Sequence, residues 1–145
     1  MDRRQESAGR SMDLSGVRVL VVEDDPDTLQ LFCTTLATFG AEVKAAYSVA
    51  EAMETIATFN PDVLVADIGL PDEDGYALIR RVRTLPAEQG GGIPAMAVTA
   101  FVRPEDRARA LWKGFQMHVP KPIDPQDLVD RVAKLVAPWS KERVA

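Results

Sequence analysis

The feature that most constrains this chain is an alternation that recurs five times: a short apolar run, then a stretch whose apolar residues return at three- and four-residue steps. The runs are Val17 to Val22, Ala41 to Ala46, Asp62 to Ala66, Ile93 to Val98 and Phe115 to Val119. Runs this short suit strands, and the first, third and fourth are nearly continuous in apolar residues. That pattern is expected of parallel strands with helices packed over both faces. Five consecutive βα units around one parallel sheet is therefore the predicted α/β architecture.

Helix boundaries support the same division, because exposed N–H groups at a helix start need an acceptor and tolerate proline. Asp25-Pro26 opens the first helix and Gly40 closes it, with Leu29, Phe32, Leu36 and Phe39 on one face. Ser48 and Glu51 have the spacing of a capping box for the second, whose buried stripe is Val49, Ala52, Met53 and Ile56. Leu78, Ile79, Val82 and Leu85 form the stripe of the third, and Gly90, Gly91 and Gly92 break the chain after it. Pro104 and Gly114 bound the fourth; Asp124-Pro125 starts the fifth, which carries Leu128, Val132, Leu135 and Val136.

With 145 residues, one core is expected, and a hydrophobic fraction of 46% supplies it without staples. The expected division is a mobile N-terminal tail over residues 1–15, one domain over 16–138 and a C-terminal tail over 139–145. A net charge of −5 disfavours direct nucleic-acid binding, which needs a basic surface. No apolar stretch approaches the roughly 18 residues of a membrane span, and no secretory signal is recognisable. The one cysteine, Cys33, has no internal partner and falls in an apolar helical stretch, which fits a reducing cytoplasm.

In an open parallel sheet the functional crevice lies beyond the carboxyl ends of the strands. Polar residues stand at nearly every such end here: Glu23, Asp24 and Asp25 after the first strand, Asp67 after the third, Thr99 after the fourth and Lys121 after the fifth. Singly, each has a plain explanation as a cap, a solvated turn or a surface lysine. Four separate segments delivering carboxylates, a hydroxyl and an ammonium to one sheet edge is a different matter. Two carboxylates 4 Å apart repel by about 4 kcal/mol at an effective dielectric near 20, so the cluster needs a cation. Oxygen ligands alone suit a hard ion, Mg²⁺ or Mn²⁺, in a site that also admits phosphate oxygens. Lys121 would add a second positive charge and Thr99 a hydrogen bond, while Asp67 is placed for nucleophilic attack on phosphorus, giving an acyl phosphate.

These segments resemble the receiver domains of two-component response regulators and hybrid histidine kinases, over roughly Val17 to Ala137. VLVVEDDPD is similar to that family's acidic-pair segment, DVLVADIGLPDEDG to its phosphoacceptor loop, VTA to its switch threonine and PKPI to its lysine-proline signature. The resemblance implies a flavodoxin-like (βα)5 fold with strand order 2-1-3-4-5. It makes Asp67 the phosphoacceptor, and Glu23, Asp24, Asp67 and the backbone carbonyl of Gly69 the Mg²⁺ ligands. Thr99 and Lys121 become the phosphoryl-contacting pair, His118 joins Thr99 as a switch residue, and the Lys121–Pro122 bond becomes cis.

Three positions depart from the commonest pattern. Glu23 replaces a frequent aspartate and keeps the charge with a longer reach, which favours a water-mediated metal contact. His118 stands at an aromatic switch position, where a half-buried ring that changes rotamer explains it better than a phosphorelay role. Pro120 removes a backbone donor, tolerable only on an edge strand.

The expected partners are a histidine kinase or histidine phosphotransfer domain as donor and a downstream protein that reads the surface of the fourth helix, fifth strand and fifth helix. The domain is expected to be a cytoplasmic monomer or weak dimer, and not an enzyme beyond assisting its own phosphorylation and dephosphorylation. Two rivals remain. Asp25-Pro26-Asp27 resembles the paired aspartates of haloacid-dehalogenase phosphatases, although Leu29 stands where Thr or Val is wanted and Asp67 is left unexplained. A receiver-like module that never takes phosphate is the other, and the intact residue set disfavours it.

Overall fold

The computed structural model describes residues 13–144. Five parallel strands, β1 (Arg18–Val22), β2 (Glu42–Ala46), β3 (Val63–Ala66), β4 (Ala95–Thr99) and β5 (Met117–Pro120), form one sheet in the order β2-β1-β3-β4-β5. The helices are α1 (Pro26–Thr38), α2 (Val49–Phe59), α3 (Gly75–Arg83), α4 (Pro104–Lys113) and α5 (Pro125–Val144), with one 3-10 turn at Ala87–Gln89. Strand limits differ from the apolar runs by a residue or two, because a run's first residue often serves another purpose. Asp62 illustrates this: it precedes β3, and its Oδ2 accepts the Arg18 N–H at 2.9 Å.

Alternate strand residues face opposite sides of the sheet, and each side has its own core. Leu20, Val22, Leu64, Ala66, Ala95 and Ala97 pack under α2, α3 and α4 with Ile56, Leu78, Ile79 and Ala110. Val19, Val21, Val63, Val65, Met96 and Val98 pack under α1 and α5 with Leu29, Phe32, Leu36, Leu128 and Val132. The near-continuous apolar runs thus follow from burial on two faces. Phe59 belongs to the buried stripe of α2 although the spacing analysis stopped at Ile56. Cys33 is half-buried in the second core, and burial pushes its thiol pKa up, away from reactivity.

Residues 1–12 lie outside the described residues, but Leu14 is 1% exposed and its N–H donates to Phe39 O at 2.8 Å. Leu14, expected in the N-terminal tail, thus packs into the second core. At the other end α5 runs to Val144 and takes in most of the residues expected as the C-terminal tail. β5 is an edge strand, which accommodates Pro120 as expected.

Helix starts follow local chemistry. The Asp25 carboxylate caps α1 by accepting the Thr28 N–H at 3.0 Å and the Thr28 hydroxyl at 2.6 Å. Ser48 caps α2 through Glu51 N–H, and the Glu51 carboxylate reaches back to Tyr47 N–H, one residue beyond the ordinary capping box. An unforeseen clamp is Arg83, at the end of α3, whose guanidinium donates to the carbonyls of Gly91, Ile93 and Gly114 and to Gln116 Oε1. Burial lowers its pKa, and the converging carbonyls supply the acceptors that water would otherwise give. Gly91 in that loop has no room for a side chain, as a Cβ would fall 1.9 Å from Leu85 O.

Candidate phosphoryl-transfer site

Backbone pairing carries the ladder one residue past each strand and thereby sets the site residues side by side. Glu23 N–H donates to Ala46 O at 3.0 Å and Asp67 N–H to Val22 O at 2.9 Å, so Glu23 and Asp67 leave adjacent strands at the same level. Lys121 N–H donates to Thr99 O at 2.9 Å, which fixes Lys121 beside the end of β4. The Lys121–Pro122 bond is cis, as the resemblance implied.

The Lys121 ammonium closes the cluster. It donates to Glu23 Oε1 at 2.7 Å and to Asp67 Oδ2 at 3.1 Å, joining side chains that are 98 and 54 residues from it in sequence. Glu23 is 2% exposed and Asp67 9%, whereas Asp24 faces solvent. Burial raises the Glu23 pKa against the opposing pull of Lys121 and of the Asp25 N–H, which donates to Oε2 at 3.0 Å. For Lys121, burial works against the ammonium, but the two carboxylates outweigh it and hold its pKa above the ordinary lysine value. The ammonium is thus a permanent charge at neutral pH.

Carboxylate oxygens of Glu23, Asp24 and Asp67 lie within 4.8 Å of one another. Three hard oxygen donors at this spacing, with no His or Cys among them, fit a divalent cation such as Mg²⁺ and suit no soft metal. Gly69 stands at the rim, exposed, and its N–H donates to Asp67 Oδ1 at 3.2 Å. The loop from Asp67 to α3 is held by Gly75 N–H on Ile68 O at 2.7 Å and by Asp74, which caps α3 through Ala77 N–H at 2.9 Å.

Thr99 is buried at 1% exposure, and its Oγ1 accepts the Phe101 N–H at 3.1 Å. This bond turns the hydroxyl toward its own loop, so Thr99 is beside the cluster without touching Asp67 in the way that Lys121 does. His118 is half-buried on β5 opposite Ala97, and its Nε2 is enclosed with no hydrogen-bond partner among the described residues. Phe101 is 50% exposed and overhangs Gly69: a Cβ built there would meet its ring at 3.8 Å. Beyond Phe101 opens a cleft of about 640 Å³ toward α4, where the Arg109 guanidinium stacks 4.7 Å over the Tyr76 ring.

The residues singled out from sequence therefore gather at one edge, with Asp25 serving as a helix cap rather than the start of a phosphatase motif. Sequence reasoning passed over Asp72, whose carboxylate accepts the Val49 and Ala50 N–H groups across the site, each at 3.1 Å. It also passed over the role of Gly75, where a Cβ would lie 2.6 Å from Asp67 O. A glycine directly after an aspartate at a helix start was the available signal for the second; nothing local marks the first.

Comparison with known proteins agrees with this fold. A 43% identical relative, an uncharacterized 14.6 kDa protein from Leptolyngbya boryana, aligns over 80% of this chain and 87% of its own length. Transcriptional regulatory protein TrcR of Mycobacterium tuberculosis is 36% identical over 86% of this chain, which spans only 47% of that protein. Among solved structures, a CheY-like response regulator receiver domain protein from Methanospirillum hungatei JF-1 superposes with a TM-score of 0.79 at 27% identity, covering 87% of this chain and 98% of that one. The family model for the response regulator receiver domain matches residues 19–133. With the fold, the strand order and the match all in agreement, the chain belongs to the response regulator receiver domain family.

Proposed function

We propose that this receiver domain takes a phosphoryl group onto Asp67 from the phosphohistidine of a histidine kinase or histidine phosphotransfer domain. The observation that carries the reading is the Lys121 ammonium bridging Glu23 and Asp67 at 2.7 and 3.1 Å. A cation so held marks where the charge of an incoming phosphoryl group is met. An Asp67 carboxylate oxygen attacks phosphorus, the P–N bond to the donor imidazole breaks, and an acyl phosphate forms. Glu23, Asp24, Asp67 and the Gly69 carbonyl would hold Mg²⁺, with Mn²⁺ a substitute of similar chemistry; bound there, it neutralises charge on the phosphoryl oxygens.

Once formed, the acyl phosphate offers acceptors to the Lys121 ammonium and the Thr99 hydroxyl. The Thr99 hydroxyl accepts from Phe101 N–H and still has its own O–H to donate to the phosphoryl group. Movement of Thr99 frees space on the face of the sheet that it shares with His118, and the enclosed His118 ring then turns. The resulting change on α4, β5 and α5 is what a downstream protein reads. The domain is a switch acting in the cytoplasm as a monomer or weak dimer, and its only chemistry is its own phosphorylation and dephosphorylation.

The test uses acetyl phosphate or a phosphorylated kinase with Mg²⁺. Parent protein should be labelled, and Asp67→Asn, folded by circular dichroism, should not; chelation of Mg²⁺ should abolish labelling of the parent. Label retained by Asp67→Asn would place the acceptor elsewhere.

A further inference from the structure

The loop that follows Asp67 is tied across the site to a different βα unit. Asp72 Oδ1 accepts the N–H of Val49 and Oδ2 that of Ala50, both at 3.1 Å, spanning 23 and 22 residues of sequence. These are the first two residues of α2, whose N–H groups have no partner within the helix. Ser48 already serves Glu51 N–H, and Glu51 serves Tyr47 N–H, so Asp72 completes a start that the local sequence leaves half-capped. The cap comes from the loop carrying Gly69, three residues before Asp72.

We infer that Asp72 is a positioning residue for the phosphoryl-transfer site: the two hydrogen bonds its carboxylate accepts from Val49 and Ala50 N–H hold the Gly69 segment at the height at which its carbonyl joins the carboxylates. The inference rests on the proposed Mg²⁺-dependent site at Asp67. Locally the loop is closed by Gly75 N–H on Ile68 O, by Leu70 N–H on the same oxygen and by Gly69 N–H on Asp67 Oδ1, while Asp74 holds its far end at Ala77. Between these anchors Gly69 is exposed, and a glycine has more backbone freedom to lose than any other residue. The Asp72 tie removes that freedom from outside, using a rigid helix start as its support. It also makes the start of α2 and the adjacent Tyr47, which is 53% exposed, mechanically continuous with the phosphoacceptor loop.

Amide NMR separates this role from a purely structural one. Mg²⁺ is titrated while the Gly69 amide is followed, and hydrogen exchange is read at Val49, Ala50 and Glu51. Asp72→Ala should raise the Mg²⁺ dissociation constant by about tenfold, the scale on which partners behind metal ligands act. It should also strip exchange protection from Val49 and Ala50. Asp72→Asn, with one acceptor oxygen left, should fall between Asp72→Ala and the parent. Ser48→Ala removes the other cap of the same helix without touching the loop; it should expose Glu51 and leave Mg²⁺ affinity unchanged. The inference is overturned if Asp72→Ala binds Mg²⁺ within about twofold of the parent, or if Ser48→Ala weakens binding as much. Failure of the underlying site would look different: Asp67→Asn would then bind Mg²⁺ as tightly as the parent.

Discussion

Replacing Lys121 with methionine keeps most of the buried stem and removes only the charge, leaving Glu23 and Asp67 to face each other without a cation. Breaking a buried ion pair from one side costs about 3–5 kcal/mol, because the remaining charge stays desolvated. Lys121 retains 23% side-chain exposure, so solvent screening lowers the expected loss to about 2–3 kcal/mol in metal-free protein near neutral pH. The pH dependence has a definite sign. Burial raises the folded pKa of Glu23 above its unfolded value, so its contribution is fully present below the unfolded pKa and is lost as pH rises through the folded one. Lys121, whose folded pKa is also raised, contributes up to its unfolded pKa in the alkaline range and loses that contribution above it. Between these limits the parent keeps its compensating charge and Lys121→Met does not. The deficit of the variant should therefore be smaller at pH 4.5 than at pH 8. Any ligand of the folded state adds about 1.4 kcal/mol at ten times its dissociation constant. Mg²⁺ should bind the variant more tightly and restore more stability to it than to the parent. Urea unfolding with and without Mg²⁺, at both pH values, measures all of this. Equal stability of parent and variant at pH 8 without metal would refute the reasoning, as would a deficit independent of pH.

Gly75→Ala should slow phosphorylation and lower stability by about 1–3 kcal/mol, since its Cβ would crowd Asp67 O at 2.6 Å and Ile68 Cα at 2.7 Å; thermal melts and labelling rates check both. Phe101→Ala should shorten the lifetime of the phosphoryl group by opening the space over Gly69 to water; equal rates of label loss in the two proteins would remove Phe101 from the account. His118→Phe deletes the enclosed, unpartnered Nε2 and should raise stability by about 1 kcal/mol in urea unfolding, the low end of the cost of an unsatisfied buried polar atom.

The fold was legible because burial on both faces forces apolar continuity into the central strands. VLVV, VLVA and AMAV sit at the centre of the sheet and have almost no exposure. Helix starts were legible where the cap is local, as at Asp25 and Ser48. Boundaries were less so. Leu14 reads as part of a polar tail until the packing shows what lies above it, and Asp62 reads as a strand residue until Arg18 N–H is seen to need it. At the site, Glu23, Asp24, Asp67, Thr99 and Lys121 could be named from their positions after apolar runs. Asp72 could not, because its partners are more than 20 residues away and nothing next to it in sequence changes.

Periodicity and residue type, then, determined by themselves that this chain alternates strands with helices and that acidic residues, a threonine and a lysine stand where strands end. Tertiary structure alone decided that Lys121 lies between Glu23 and Asp67, that the Thr99 hydroxyl is turned to Phe101 N–H, and that Asp72 caps another unit's helix. The reason is the range of the interactions. Hydrophobic pattern and capping act over a few residues and are written locally, whereas a hydrogen bond between distant segments depends on the register in which the sheet brings them together.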